Sequence, residues 1–134
     1  MGSRFAEARD PGQDRTIRIL LVDDYPVIRQ ITRRLLTRHP GMIVVGEADN
    51  GAEALDLVMQ VQPDVVLMDV YMPILDGVAA TKQMRSAYPD LPIVLFTSCD
   101  HDGYVLEGMR AGAASYLLKD VSTQVLVSTL RSVI

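Results

Sequence analysis

The sequence holds one cysteine, Cys99, in 134 residues. A single thiol excludes a disulfide framework and a zinc site built from cysteines. Long apolar runs are missing too. Even Val65-Val66-Leu67-Met68 is closed off by Asp64 and Asp69, far short of the roughly 18 residues that cross a bilayer. No charged-then-apolar leader opens the chain, and Met1-Gly2-Ser3-Arg4-Phe5-Ala6 lacks the Ser or Thr of a myristoylation site. The expected address is cytoplasmic, with no membrane contact. Positive charge is scarce: 13 Lys and Arg stand against 17 Asp and Glu, a net −4. The basic footprint that grips a phosphate backbone is therefore missing, and direct nucleic-acid binding by this segment is not expected. No G-x-G-x-x-G or Walker A run occurs, so nothing in the chain cradles a nucleotide.

What is there suits one folded domain. Hydrophobic residues make up 49% and charged residues 22%, enough for a core at this length. Residues 1–16 carry Gly, Pro, Gln and balanced charge without periodicity, which predicts a flexible tail, and Met1-Gly2-Ser3 looks like an expression remnant. Across 17–134, short β-branched runs alternate five times with helical patterns. Strands are predicted at 17–22, 42–48, 64–68, 92–97 and 114–118. Between them Val27, Ile28, Ile31 and Leu35 recur at helical spacing, as do Leu55, Val58 and Met59, and then Val78, Thr81 and Met84. Pro26 suits a first helical turn, Asn50 and Asp76 suit N-caps, and Gly41 and Gly112 stand where helices should end. The cluster Arg29, Arg33, Arg34 and Arg38 reads first as a solvated helix face and second as a docking surface.

Strands as apolar as Val65-Val66-Leu67-Met68 and Ile93-Val94-Leu95-Phe96 need cover on both faces. Five right-handed βα units then give an α/β fold with a doubly wound, five-stranded parallel sheet, predicted order 2-1-3-4-5, and a ligand site at the carboxyl ends of the strands. There the sequence places Asp23 and Asp24 after the first strand, Asp69 after the third, Thr97 ending the fourth and Lys119 after the fifth. Taken alone, each has an ordinary explanation; Asp24 ahead of Pro26, for instance, reads as a helix N-cap. Together, three carboxylates at one point repel unless a cation joins them, and a hard ion such as Mg²⁺ prefers oxygen ligands. The chemistry that fits is phosphoryl transfer. Asp69, central in the sheet, is the nucleophile; Asp23 and Asp24 serve the metal; Thr97 and Lys119 face the phosphoryl oxygens. The phosphoryl donor must come from outside.

Asp23-Asp24, the run from Val65 through Asp69 to Met72-Pro73-Ile74-Leu75-Asp76-Gly77, the pair Thr97-Ser98 and Tyr116-Leu117-Leu118-Lys119 resemble the receiver domain of bacterial two-component response regulators. The resemblance spans 17–134 and carries the flavodoxin-like strand order with it. Val22-Asp23-Asp24-Tyr25-Pro26, Val44-Val45-Gly46-Glu47-Ala48 and Tyr116-Leu117-Leu118-Lys119-Asp120 are most similar to the NarL/FixJ (LuxR-family) regulators, which carry a C-terminal helix-turn-helix domain. The resemblance implies that Asp69 accepts a phosphoryl group from a sensor histidine kinase. Mg²⁺ would be bound by Asp24, Asp69 and the Tyr71 backbone carbonyl, with Asp23 acting directly or through water. Lys119 and Thr97 would contact the phosphoryl oxygens, and Tyr116 would be the aromatic switch that follows Thr97. Such a chain is a phosphoacceptor rather than an enzyme. It implies a phosphorylation-promoted homodimer, and DNA control only through an output domain.

Three features depart from the family pattern. Asp120 stands where most receivers have a cis proline, and a cis non-proline bond costs about 2.5 to 4 kcal/mol. Tyr71 and Cys99, at positions that tune dephosphorylation, offer no amide or carboxylate to a water. The chain stops at Ile134 in the fifth helix, as expected of a fragment of a longer regulator. The fourth helix, predicted at 101–111, contains Gly103 and Gly108 and should be the least stable. The fifth shows Val125, Leu126, Val127, Leu130, Val133 and Ile134, an arc open to core packing alone or to a dimer or output contact. Competing readings are a phosphorylation-independent interaction module, an aspartyl-phosphate phosphatase, which would want Asp-x-Asp-x-Thr after the first strand, and a flavodoxin-like electron carrier, which would want a hydroxyl-rich phosphate loop there.

Overall fold

A computed structural model describes residues 16–98 and 102–134; the tail predicted over 1–16 lies, but for Thr16, outside the described residues. Strands and helices alternate as β1 (Ile17–Val22), α1 (Pro26–Thr37), β2 (Met42–Ala48), α2 (Gly51–Val61), β3 (Val65–Met68), α3 (Gly77–Ala87), β4 (Ile93–Thr97), α4 (Asp102–Arg110), β5 (Ser115–Leu118) and α5 (Thr123–Ser132). All strand pairs are parallel, in the expected order β2-β1-β3-β4-β5. The first two strands match their predicted bounds, while β3, β4 and β5 each begin one residue later. Pro92 has no N–H to donate, although its carbonyl still accepts from Val66. Asp64 turns its carboxylate back onto the Arg18 N–H.

Alternation along each strand sorts the core into two layers. Ile19 and Leu21, Val65 and Leu67, and Val94 and Phe96 face α1 and α5, meeting Leu36, Leu126, Val127 and Leu130. Leu20 and Val22, Val66 and Met68, and Ile93 and Leu95 face the other way, onto Ala54 and Val58 of α2 and Ala80 and Met84 of α3. The chain changes faces between α1 and α2, so the carboxyl ends of β1 and β3 flank the reversal in winding where open sheets bind ligands.

Asn50 and Asp76 cap α2 and α3 by accepting from the Glu53 and Ala79 N–H groups, and Gly41 and Gly112 have positive φ as their places require. The helical spacing located α1 and α2 correctly, yet not every residue that carries it is buried. In α1 the buried residues are Thr32 and Leu36, whereas Val27 and Ile31 are 66% and 50% exposed; in α2, Met59 is exposed. A hydrophobic residue at helical spacing is not thereby on the inner face. The two glycines of α4 differ in their surroundings. A Cβ on Gly103 would meet open space, but one on Gly108 would sit 2.5 Å from Leu95 Cδ1, so Gly108 lets the helix approach the sheet closely. The predicted start of α4 at His101 lies outside the described residues. On α5, Val125 is exposed while Leu126, Val127 and Leu130 are buried; the helix ends at Ser132, so Ile134, expected within it, lies beyond it and is exposed. No cis peptide occurs among the described residues, so Lys119–Asp120 is trans.

Two non-glycine residues take positive φ among the described residues, Gln62 at the C-cap of α2 and Ile74. Ile74, in the loop between β3 and α3, has φ 71° and is 84% exposed, and a left-handed conformation costs an L-residue roughly 1–2 kcal/mol. Replacement by glycine removes that cost and sacrifices no core packing, offset in part by glycine's freedom in the unfolded chain. Ile74→Gly should therefore raise unfolding stability by about 0.5–1 kcal/mol in urea denaturation; a loss would show that the exposed side chain contributes packing.

Candidate functional site

Strand register builds the site. Val22 pairs with Met68, so Asp23 and Asp69 leave the sheet side by side, and the Asp69 N–H donates to the Val22 carbonyl at 2.9 Å. Thr97 pairs with Leu118, and the Lys119 N–H donates to the Thr97 carbonyl at 2.8 Å. Lys119 is thereby carried from the edge strand back over the centre. Its Nζ lies 2.5 Å from Asp23 Oδ2 and 2.9 Å from Asp69 Oδ2.

Asp23, Asp24 and Asp69 each offer a carboxylate oxygen within 4.8 Å of the others. At such a spacing each pair repels by an amount approaching the roughly 4 kcal/mol of two unit charges ~4 Å apart at an effective dielectric of ~20. One ammonium against three carboxylates leaves the pocket with an excess of negative charge. Asp23 is held from three further directions: its N–H donates to Ala48, its Oδ1 accepts from Tyr25 N–H, and its own carbonyl accepts from Arg29. Asp69 Oδ1 accepts from Val70 N–H at 2.7 Å. Asp24 differs. The cap position of α1 falls to Tyr25, with no side-chain cap bond, so the N-cap explanation of Asp24 does not hold. Half-buried, its carboxylate has no partner among the described residues. Three hard oxygen donors, one of them uncommitted, fit a divalent cation such as Mg²⁺.

Thr97 is fully buried at the end of β4. Tyr116 is half-buried against the core layer under α2 and α3, and its ring lies 3.8 Å from where a Gly108 Cβ would stand. Tyr71 is 40% exposed, and its ring meets Tyr104 of α4 edge-on, centroids 4.9 Å apart and planes at 72°. Gly77 supports the loop from below: a Cβ there would fall 2.1 Å from the Asp69 carbonyl oxygen. Cys99 lies outside the described residues.

Arg29 is the supporting residue that the sequence reading missed. Far from facing solvent, its guanidinium joins the Asp23 carbonyl to Glu47 and Asp49 at the end of β2, with Arg33 also on Glu47. The signal was the acidic pair Glu47 and Asp49, which parallel pairing brings beside Asp23. Of the four arginines, Arg33, Arg34 and Arg38 remain exposed, Arg33 with its ion pair to Glu47.

The family profile described as response regulator receiver domain matches residues 19–131. The chain belongs to this family. It is 43% identical over 116 residues to the uncharacterized transcriptional regulatory protein YxjL of Bacillus subtilis, covering 87% of this chain and 53% of that protein. It is 39% identical to the response regulator GacA of Pseudomonas aeruginosa, covering 87% and 55%. The receiver thus spans about half the length of the curated relatives it matches. Among solved structures, a LuxR-family two-component response regulator from Aurantimonas superposes with TM-score 0.84 at 36% identity, over 88% of this chain and 84% of that one. The signal receiver domain of the response regulator NarL from Mycobacterium tuberculosis gives 0.82 at 33%, over 89% and 97%. This receiver is therefore of the LuxR/NarL type, part of a two-component response regulator. No described helix is long and apolar enough to cross a membrane.

The bridging lysine makes the receiver's stability depend on alkaline pH. Burial lowers the Lys119 pKa, but hydrogen bonds and attraction from Asp23 and Asp69 outweigh it and raise the value above the ordinary 10.5. A folded-state pKa above the unfolded one stabilises fully below the unfolded value and fades as pH rises through the folded one. Metal-free stability should therefore hold through neutral pH and fall beyond about pH 10.5. Denaturation of Lys119→Met over the same range should lack that lysine-dependent part of the alkaline fall; an identical fall would assign it to other groups.

Proposed function

We propose that Asp69 is the phosphoacceptor of this receiver and that a sensor histidine kinase is the donor. The observation that carries the proposal is the lysine ammonium bridging two carboxylates beside a third, uncommitted one. In the transfer, an Asp69 carboxylate oxygen bonds to phosphorus as the phosphorus–nitrogen bond of the donor's phosphohistidine breaks, leaving the imidazole on the kinase. Lys119, already 2.9 Å from Asp69, is released by the loss of carboxylate charge and pairs with a phosphoryl oxygen, while Thr97 donates its hydroxyl to another. Asp24, Asp69 and the Tyr71 carbonyl would hold Mg²⁺, with Asp23 acting directly or through water. When bound, that ion supplies positive charge to the phosphoryl oxygens and offsets the carboxylates.

On this reading the receiver promotes its own phosphorylation and loses the group slowly, because Tyr71 and Cys99 have no amide or carboxylate to orient a water. Thr97 and Tyr116 are the switch pair. The names of the relatives, transcriptional regulatory protein and response regulator, support a helix-turn-helix output domain through which phosphorylation acts on DNA, and a phosphorylation-promoted homodimer. A cytoplasmic address belongs to the same proposal.

Intact mass after incubation with acetyl phosphate and Mg²⁺ tests the acceptor. One acid- and hydroxylamine-labile phosphoryl group should appear in the wild type and none in Asp69→Asn; unchanged labelling of that variant would overturn the assignment. A second measurement tests the metal. Asp24→Asn removes a repelling, unpartnered carboxylate, so without Mg²⁺ it should gain stability by about 1 kcal/mol. The wild type should gain further on adding Mg²⁺ and the variant little; equal gains would remove Asp24 from the ligand set.

A further inference from the structure

We propose that Arg29 is a positioning residue for the divalent cation, acting through the main chain of Asp23 so that the pocket discriminates Mg²⁺ from the larger Ca²⁺. The inference rests on Asp23, Asp24 and Asp69 being the cation site. Asp23 and Asp24 share the peptide whose carbonyl accepts from Arg29 Nη1, while the Asp23 N–H is fixed on the Ala48 carbonyl at 3.0 Å. The main chain is thus gripped on both sides of Asp23. Just beyond, the Tyr25 N–H donates to Asp23 Oδ1 at 2.9 Å and closes the turn around Asp24. With no side-chain partner of its own among the described residues, the Asp24 carboxylate stands where this backbone puts it. The guanidinium is braced in turn from β2, by Glu47 Oε1 at 3.0 Å and Asp49 Oδ1 at 2.6 Å, and Arg33 holds the other Glu47 oxygen at 2.7 Å. Two arginines against two carboxylates leave this network neutral, so what it gives the pocket is geometry rather than charge. Geometry separates the two ions: Mg²⁺ needs near-octahedral oxygens at about 2.0–2.1 Å, whereas Ca²⁺ accepts irregular ligation at about 2.3–2.6 Å. Loosening the peptide between Asp23 and Asp24 therefore costs Mg²⁺ more than Ca²⁺.

The test reads stabilisation against urea as Mg²⁺ or Ca²⁺ is added, without any phosphodonor, for the wild type, Arg29→Lys and Arg29→Met. Each dissociation constant comes from the gain over the same protein's metal-free stability, so a general loss of stability does not enter it. Arg29→Met should weaken Mg²⁺ binding about tenfold, the low end of what losing a partner of a metal ligand costs, and Ca²⁺ binding by less than about twofold. Arg29→Lys keeps the charge but not the planar fork, and should shift the ratio of the two constants in the same direction. A role of charge alone would make Arg29→Met bind both ions more tightly and leave Arg29→Lys unchanged; that result, or equal weakening of both ions, would overturn the inference. Should Arg29→Met fail to fold, Arg29→Lys decides, an unchanged ratio counting against the inference. Absence of Mg²⁺ stabilisation in the wild type would instead overturn the cation site itself, so the two failures are distinguishable.

Discussion

One ammonium between two carboxylates organises this molecule. Without Lys119, the ends of β1 and β3 would bring Asp23 and Asp69 together with nothing between them, in a place too buried for water to screen the repulsion. With it, the pair is tolerable but not neutral, because Asp24 adds a third negative charge without a partner among the described residues. A site left short of positive charge is one that a divalent cation or a loss of carboxylate charge can stabilise. The tension is held at the expense of stability, and the proposed phosphoryl and Mg²⁺ chemistry would draw on it.

That tension is held in place by backbone register rather than by the side chains themselves. Asp23, Asp69 and Lys119 come from β1, β3 and β5, and each is the first residue after its strand. Their convergence follows from the pairings Val22 with Met68 and Thr97 with Leu118. A one-residue slip of any of these strands would point its acidic or basic group into the opposite layer. The two apolar layers, with Ile19, Leu20, Val65, Val66, Ile93 and Val94 fully buried, make such a slip prohibitive, so the precision of the site derives from the core.

The same logic explains which parts were legible in the sequence. Strand bounds, the caps Asn50 and Asp76, and the gathering of Asp23, Asp24, Asp69 and Lys119 rest on periodicity and on the geometry of parallel sheets, which a sequence displays, whereas the sheet order leaned on the receiver resemblance as well. Val27, Ile31 and Met59 marked α1 and α2 correctly yet are exposed, because apolar spacing alone does not say which side of a helix meets the sheet. Ile74 and Gln62 take positive φ though neither residue type asks for it; neighbouring structure imposes the conformation, as the tight passage of Gly77 under Asp69 does for the loop that holds Ile74. Arg29 was illegible for a related reason. Its role depends on Glu47 and Asp49 being beside it, and that is a fact of the assembled sheet.

The arrangement of α4 follows from these constraints as well. Gly108 brings the helix against Leu95 and near Tyr116, while Tyr104 touches the loop beyond Asp69. The helix therefore lies against both the loop after Asp69 and the ring of Tyr116. A phosphoryl group adds about −1.5 to −2 charge where it attaches, and it can shift a conformational equilibrium only through contacts that differ between the two states. Under the proposal that Asp69 is the acceptor, Lys119 and Thr97 would follow that charge, and the backbone bond between them would couple their movement. Under the same proposal a displacement of Lys119 would be passed to β5, the strand that carries Tyr116. Because α4 lies against both Tyr71 and Tyr116, a change at Asp69 would then bear on the helix at two points.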